Sequence, residues 1–177
     1  MGRNYTIDIL KEEEKDALGR YLLLFLATVA HIDGKLDFDE YMAIDSIFEL
    51  EKIVNPLTKE ILNYIHNNSR KLKTERLHIL NSKNVLKDFS QLDKTAFKAI
   101  ESLKSVYGKE IINEFLAEFI LFAEKIGEAS GGKKGLLGFG KESGFSKEEI
   151  FLISNFMAKF KVENNLLEKL RRKKEEI

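Results

Sequence analysis

The stretch IINEFLAEFILFAEKI, Ile111 to Ile126, decides the fold. Ile111, Ile112, Phe115, Leu116, Phe119, Ile120, Ala123 and Ile126 recur at the three- and four-residue steps of one helical face. The same period continues outward in both directions. Upstream, Ala96, Phe97, Ile100, Leu103 and Tyr107 share a face over Ser90 to Tyr107, and Gly108 interrupts. Downstream, Ser146 and Glu149 have capping-box spacing ahead of a helix carrying Ile150, Ile153, Phe156, Met157 and Phe160. Val162 to Glu176 reads as a last helix.

Towards the N-terminus a helix is expected over Glu12 to His31, growing steadily more apolar. Asp37 with Glu40 forms a capping box for a helix carrying Tyr41, Ile44, Ile47, Phe48 and Val54. Asn55 caps the next helix, with Pro56 in its first turn and Ile61, Leu62 and Ile65 following. Lys71 to Asp88 predicts one or two short helices. No strand or hairpin pattern competes. The expectation is an all-α, compact helical bundle of about seven helices, one domain over 1–177, with a glycine-rich insertion at 127–144.

Composition narrows the function classes. Of 177 residues, 44% are apolar and 33% charged, a globular balance. Lys plus Arg and Asp plus Glu both number 29, so no net field draws the chain to nucleic acid. With no cysteine, disulfides, thiolate catalysis and soft-metal thiolate sites are excluded, and an intracellular setting fits. The apolar run YLLLFLATVA, Tyr21 to Ala30, is far shorter than the roughly 20 residues of a membrane span. It follows KEEEKDALGR, so it is not a signal peptide, and it reads as a buried helix segment. Thirteen Phe, no Trp and one Pro fit long helices around an aromatic core.

An internal echo organises the chain. LLFLATVAHI and AEFILFAEKI each precede a turn and a capped helix. In register, Leu36 matches Phe145, Asp37 matches Ser146, Glu40 matches Glu149 and Asp33 falls on Glu142, with SGGKKGLLGFGK extra in the second copy. The plan is two similar helix-turn-helix halves rather than a solenoid.

Two motifs invite chemistry. VAHIDGKLDFDE, Val29 to Glu40, resembles part of a calcium loop: Asp33, Gly34, Asp37 and Glu40 fall on loop positions 5, 6, 9 and 12. Positions 1 and 3 are then Val29 and His31, which do not suit a hard cation, and the helical pattern runs through both. An ordinary EF-hand is therefore ruled out. What remains is either a helix-turn-helix joint with an ordinary capping box, or a cluster of three carboxylates whose repulsion a divalent cation would relieve. The second motif, GLLGFGKE from Gly135, matches GxxxxGK, but Glu142 stands where Ser or Thr should hold magnesium, and the run follows a helix instead of a strand. A nucleotide-binding enzyme is rejected on those grounds. Leu136, Leu137 and Phe139 make the same run a candidate partner-binding surface. His31, His66 and His78 show no metal spacing, and KLRRKKEEI reads as a solvated helix end.

LATVAHIDGKLDFDEYMAI, with FAEKIGEASGGKKGLLGFGKESGFSKEEIFLI downstream, resembles the TerB-like (tellurite-resistance B-like) family. That family's mark is an apolar helix ending in A-x-A-D-G, then a small polar cap and Glu. Ala30, Asp33-Gly34 and Glu40 match it, and Ile32 stands where Ala is usual. Ser146, Glu148 and Glu149 resemble the second mark. The likeness covers both ends of the chain well and Lys71 to Asp88 poorly. It implies an all-helical fold of two similar halves and a cytoplasmic, non-enzymatic protein of the stress-response or tellurite-resistance type. It implies a protein-interaction role, with association to membranes only through a partner. It also implies a divalent cation (Ca2+, Mg2+ or Mn2+) at acidic interhelical turns. By carry-over, Asp33, Asp37 and Glu40 form one acidic half-site, and Glu142 with Glu149 the other, Glu142 replacing the expected Asp.

Overall fold

A computed structural model describes residues 5–31, 53–68, 85–129 and 147–176. Among the described residues the only regular elements are six α-helices: α1 (Glu12–His31), α2 (Pro56–Asn67), α3 (Val85–Tyr107), α4 (Lys109–Ala129), α5 (Lys147–Phe160) and α6 (Asn164–Glu175). The expected all-α fold is present, and no strand occurs among these residues.

α1 is the central element. Every residue from Tyr21 to Ala30 is buried, so this helix hides its whole circumference over that length. It packs chiefly on α3 and also on α4, α2 and α5. Apolar residues all round are what a helix enclosed on every side requires. Among the described residues no helix is long and apolar enough to cross a membrane. The α1–α2 approach is close: a Cβ at Gly19 would stand 3.2 Å from Ile65 Cγ1.

The aromatic core expected from thirteen Phe is assembled where α1 meets α5. The rings of Phe25 and Phe156 stack at 4.0 Å, Phe156 and Phe160 tilt together at 4.8 Å, and Tyr21 reaches Phe160 edge-on. Such pairs add about 0.5–1.5 kcal/mol each to what area burial supplies.

Helix boundaries follow local chemistry in most places. Asn55 is the N-cap of α2: its Oδ1 accepts the N–H groups of Leu57 (2.9 Å) and Thr58 (3.4 Å), and Pro56 opens the helix. Gly108 separates α3 from α4 at φ 89°, a left-handed conformation that glycine adopts without a Cβ penalty. Two boundaries differ from the sequence reading. α3 begins at Val85, absorbing residues assigned to the preceding short helices, because VLKDFS contains no breaker. The last helix begins at Asn164, not Val162, because the chain turns at Lys161. The helix expected after Asp37 lies outside the described residues except for Val54, which is not helical because Asn55, next to it, caps α2; the helices expected within 71–84 lie wholly outside.

Candidate functional site

The candidate acidic joint begins where α1 ends. α1 runs as helix through Val29 and on to His31, and Val29 is 1% exposed in the core. The two residues that an EF-hand would need as its first ligands are therefore helical, as the periodicity required. Asp33, Asp37 and Glu40 lie outside the described residues, as do Glu142, His78 and the whole GLLGFGK run with Lys141. Of the five candidate ligands, Glu149 alone is described. It is the third residue of α5 and only 5% exposed. The last described element before the glycine-rich run is α4, a helix, as the 3.6-residue periodicity required. His66 is exposed at the end of α2.

Both ends of the segment carrying Asp33, Asp37 and Glu40 are firmly held. At one end α1 is embedded in the core. At the other, Glu118 of α4 has no exposed surface, and its carboxylate accepts the N–H of Val54 at 2.8 Å and that of Asn55 at 3.1 Å. Asn55 Nδ2 donates to the carbonyl of Ile111 at 2.9 Å, a second tie between the start of α2 and α4. A buried carboxylate next to a helix N-terminus gains from the helix dipole, but it still needs a cation nearby. Lys174 of α6 supplies it at 2.8 Å from Glu118 Oε1, with its ammonium 4.7 Å from the centre of the Phe122 ring.

A second polar cluster joins the same two helices. Arg171 Nη2 donates to both oxygens of Glu124, at 2.7 and 2.6 Å, while its Nη1 engages Glu168. Burial works against the guanidinium charge, yet the Glu124 carboxylate, and then that of Glu168, holds the Arg171 pKa above its ordinary value. Lys173 lies 3.5 Å from Glu114. The basic run near the C-terminus is thus not simply a solvated helix end. Lys173, Lys174 and Arg171 of that run pair with acids of α4.

At the opposite end of α1, Lys15 bridges Asp8 (2.9 Å) and Glu12 (3.0 Å), and Tyr64 of α2 donates to Asp16 at 2.9 Å. The Asp8 and Glu12 contacts raise the Lys15 pKa. Burial, with Asp16 and Glu12 adding to it, pushes the Tyr64 phenol well up. Here Asp8, Glu12 and Asp16, around the start of α1, are matched by a lysine and a phenol.

Sequence reasoning missed Glu118. It stands within the apolar run of α4 but is spaced like a solvent-facing residue, and its partners lie 63 and 64 positions away. Only the mismatch of a carboxylate between Ala117 and Phe119, both buried, hinted at it. Among the described residues no group of three or more His, Cys, Asp or Glu could hold a metal. A groove of about 580 Å³ between the starts of α4 and α6 is lined by Lys109 and Lys169 but equally by Glu110, Glu114 and Glu163, so it favours no ligand of one charge. Comparison of the chain with protein-family models, with curated proteins and with solved structures gives no match.

Proposed function

We propose that this chain is a non-enzymatic helical domain that binds a divalent cation at its acidic interhelical turns and works as a protein-interaction module. The reading takes the domain as TerB-like, of the stress-response and tellurite-resistance type, built from about seven helices in two similar halves. The observation that supports it best is Glu149: a carboxylate, 5% exposed, in the first turn of α5, at the position that echoes Glu40. An acid withdrawn from solvent at that point fits a ligand of a half-site with Glu142, opposite Asp33, Asp37 and Glu40. The donor set is all oxygen, which favours Ca2+, Mg2+ or Mn2+ over softer ions.

The test is thermal unfolding in chelator and in millimolar calcium, magnesium and manganese. An ion that binds the folded chain adds about 2.7 kcal/mol when a hundredfold above its dissociation constant. Asp33→Asn with Glu40→Gln should abolish that gain while costing little in chelator, because removing like charges offsets the weakened cap. A melting temperature that does not move with any of the three ions sinks the cation reading.

One observation favours the metal-free alternative, an adaptor that uses the Leu136, Leu137 and Phe139 run as its partner surface. Phe151 in the second turn of α5, twelve residues beyond Phe139, is 67% exposed. A large apolar side chain in water there would extend such a surface. On that reading Leu137→Ser and Phe139→Ser abolish partner capture while calcium, magnesium and manganese leave the melting temperature unmoved, which separates the two readings.

A further inference from the structure

The corner between α5 and α6 is made by Lys161, Val162 and Glu163, with neither glycine nor proline. Val162 N–H donates to the carbonyl of Met157 at 3.0 Å and Lys161 N–H to that of Ala158 at 3.3 Å. This closing pattern puts its turning residue in the left-handed region, and Lys161 is there at φ 54°. Glycine is the usual occupant, since an L side chain disfavours that conformation. In an uninterrupted helix Lys161 would be right-handed and unstrained. The closed corner therefore runs against the local preference of the chain.

What holds it closed lies on α4. Leu167 and Leu170 are fully buried, and Arg171, Lys173 and Lys174 meet Glu124, Glu114 and Glu118, all three on α4. α6 is too short to be stable by itself and depends on that docking. Nothing in the docking requires that the α4 belong to the same copy of the chain.

We propose that α6 exchanges between two copies of this chain: the corner straightens, α5 continues into α6, and each α6 docks on α4 of the other copy. The occupant is fixed by charge complementarity, because the basic side chains of α6 match the acids of α4 pair by pair. Exchange leaves those contacts unchanged, so they cancel between monomer and dimer. The balance then rests on the relief at Lys161, opposed by the loss of the buried Val162 corner and by the entropy of association.

The test uses the full chain refolded from denaturant over a range of protein concentrations, measured by size-exclusion chromatography with light scattering. A dimer fraction that rises with concentration is expected. Lys161→Gly removes the left-handed penalty from the closed corner and weakens the straight helix. Each hinge should shift by about tenfold, and two hinges open per dimer, so the association constant should fall about a hundredfold. A decisive mixture combines Glu124→Lys with Arg171→Glu. Each variant alone opposes like charges in its own α6–α4 contact. Only an exchanged heterodimer pairs Arg171 with Glu124 at one contact and their reversed counterparts at the other. Co-refolding should give that heterodimer even where either variant alone is unstable. A wild-type chain that stays monomeric at every concentration, a dimer indifferent to Lys161→Gly, or a mixture without heterodimer overturns the proposal.

Discussion

Lys174 Nζ lies 2.8 Å from Glu118 Oε1, and the same carboxylate holds the Val54 and Asn55 N–H groups. One buried acid thus joins the last helix to the backbone entering α2. Glu118→Leu should cost about 3–5 kcal/mol, because it strands two backbone donors and a largely buried ammonium. Lys174→Met keeps both backbone hydrogen bonds and leaves only the acid without its cation, so about 1–3 kcal/mol is expected. Urea unfolding of the two variants checks the order. Equal losses would show that the backbone hydrogen bonds contribute little.

The two left-handed turns predict effects of opposite sign. Gly108 is at φ 89° with nothing within 4 Å of where a Cβ would stand. Gly108→Ala therefore meets a backbone penalty alone, about 1–2 kcal/mol of lost stability. Lys161 already bears that penalty, and Lys161→Gly should stabilise the monomer by up to about 1 kcal/mol. Melting temperatures measured at low protein concentration should move down for the first and up for the second.

Acid should weaken the start of α1 through Glu14. The Lys11 N–H donates to its Oε2 at 3.0 Å, and that bond, with burial opposing it and the Lys98 ammonium assisting, holds the Glu14 pKa below the usual carboxylate value. In the unfolded chain the group binds its proton at higher pH. Its contribution is therefore complete above the ordinary carboxylate pKa of about 4.3 and is lost as pH falls through the lower folded value. Glu14→Gln should flatten the acid limb of a stability–pH profile. An unchanged limb would place the acid sensitivity elsewhere.

At the alkaline end the sign reverses. Burial, with Asp93 beside Tyr21 and Asp16 beside Tyr64, raises both phenols far above their ordinary pKa. Unfolded tyrosine ionises near about 10, so stability supplied by these phenols is present below that pH and declines as pH climbs past it. In a spectrophotometric tyrosine titration Tyr21 and Tyr64 should ionise late or only on unfolding, and Tyr64→Phe should remove one late-ionising group.

What was legible in the sequence was what neighbours in the chain decide. Asn55-Pro56 announced the start of α2, and Gly108 the break between α3 and α4. The 3.6-residue stripes identified the core faces of α4 and α5. The α5–α6 corner was not legible, because Lys161 is a poor turn residue. The turn is set by burial of Val162, Leu167 and Leu170 against distant helices. Glu118 was hidden for the same reason. Glu149 was singled out by its echo of Glu40, but nothing in the sequence announced its burial. Asp33, Asp37, Glu40 and Glu142 lie outside the described residues.

The enclosed position of α1 bears on how the chain is made. α1 precedes in the sequence each helix that covers it, and the aromatic contacts of Tyr21 and Phe25 come from α5, more than a hundred residues later. During synthesis the run from Tyr21 to Ala30 must wait for its partners with its apolar surface unshielded. Nascent chains truncated before α4 should therefore bind a general chaperone through this run, and complete chains should release it.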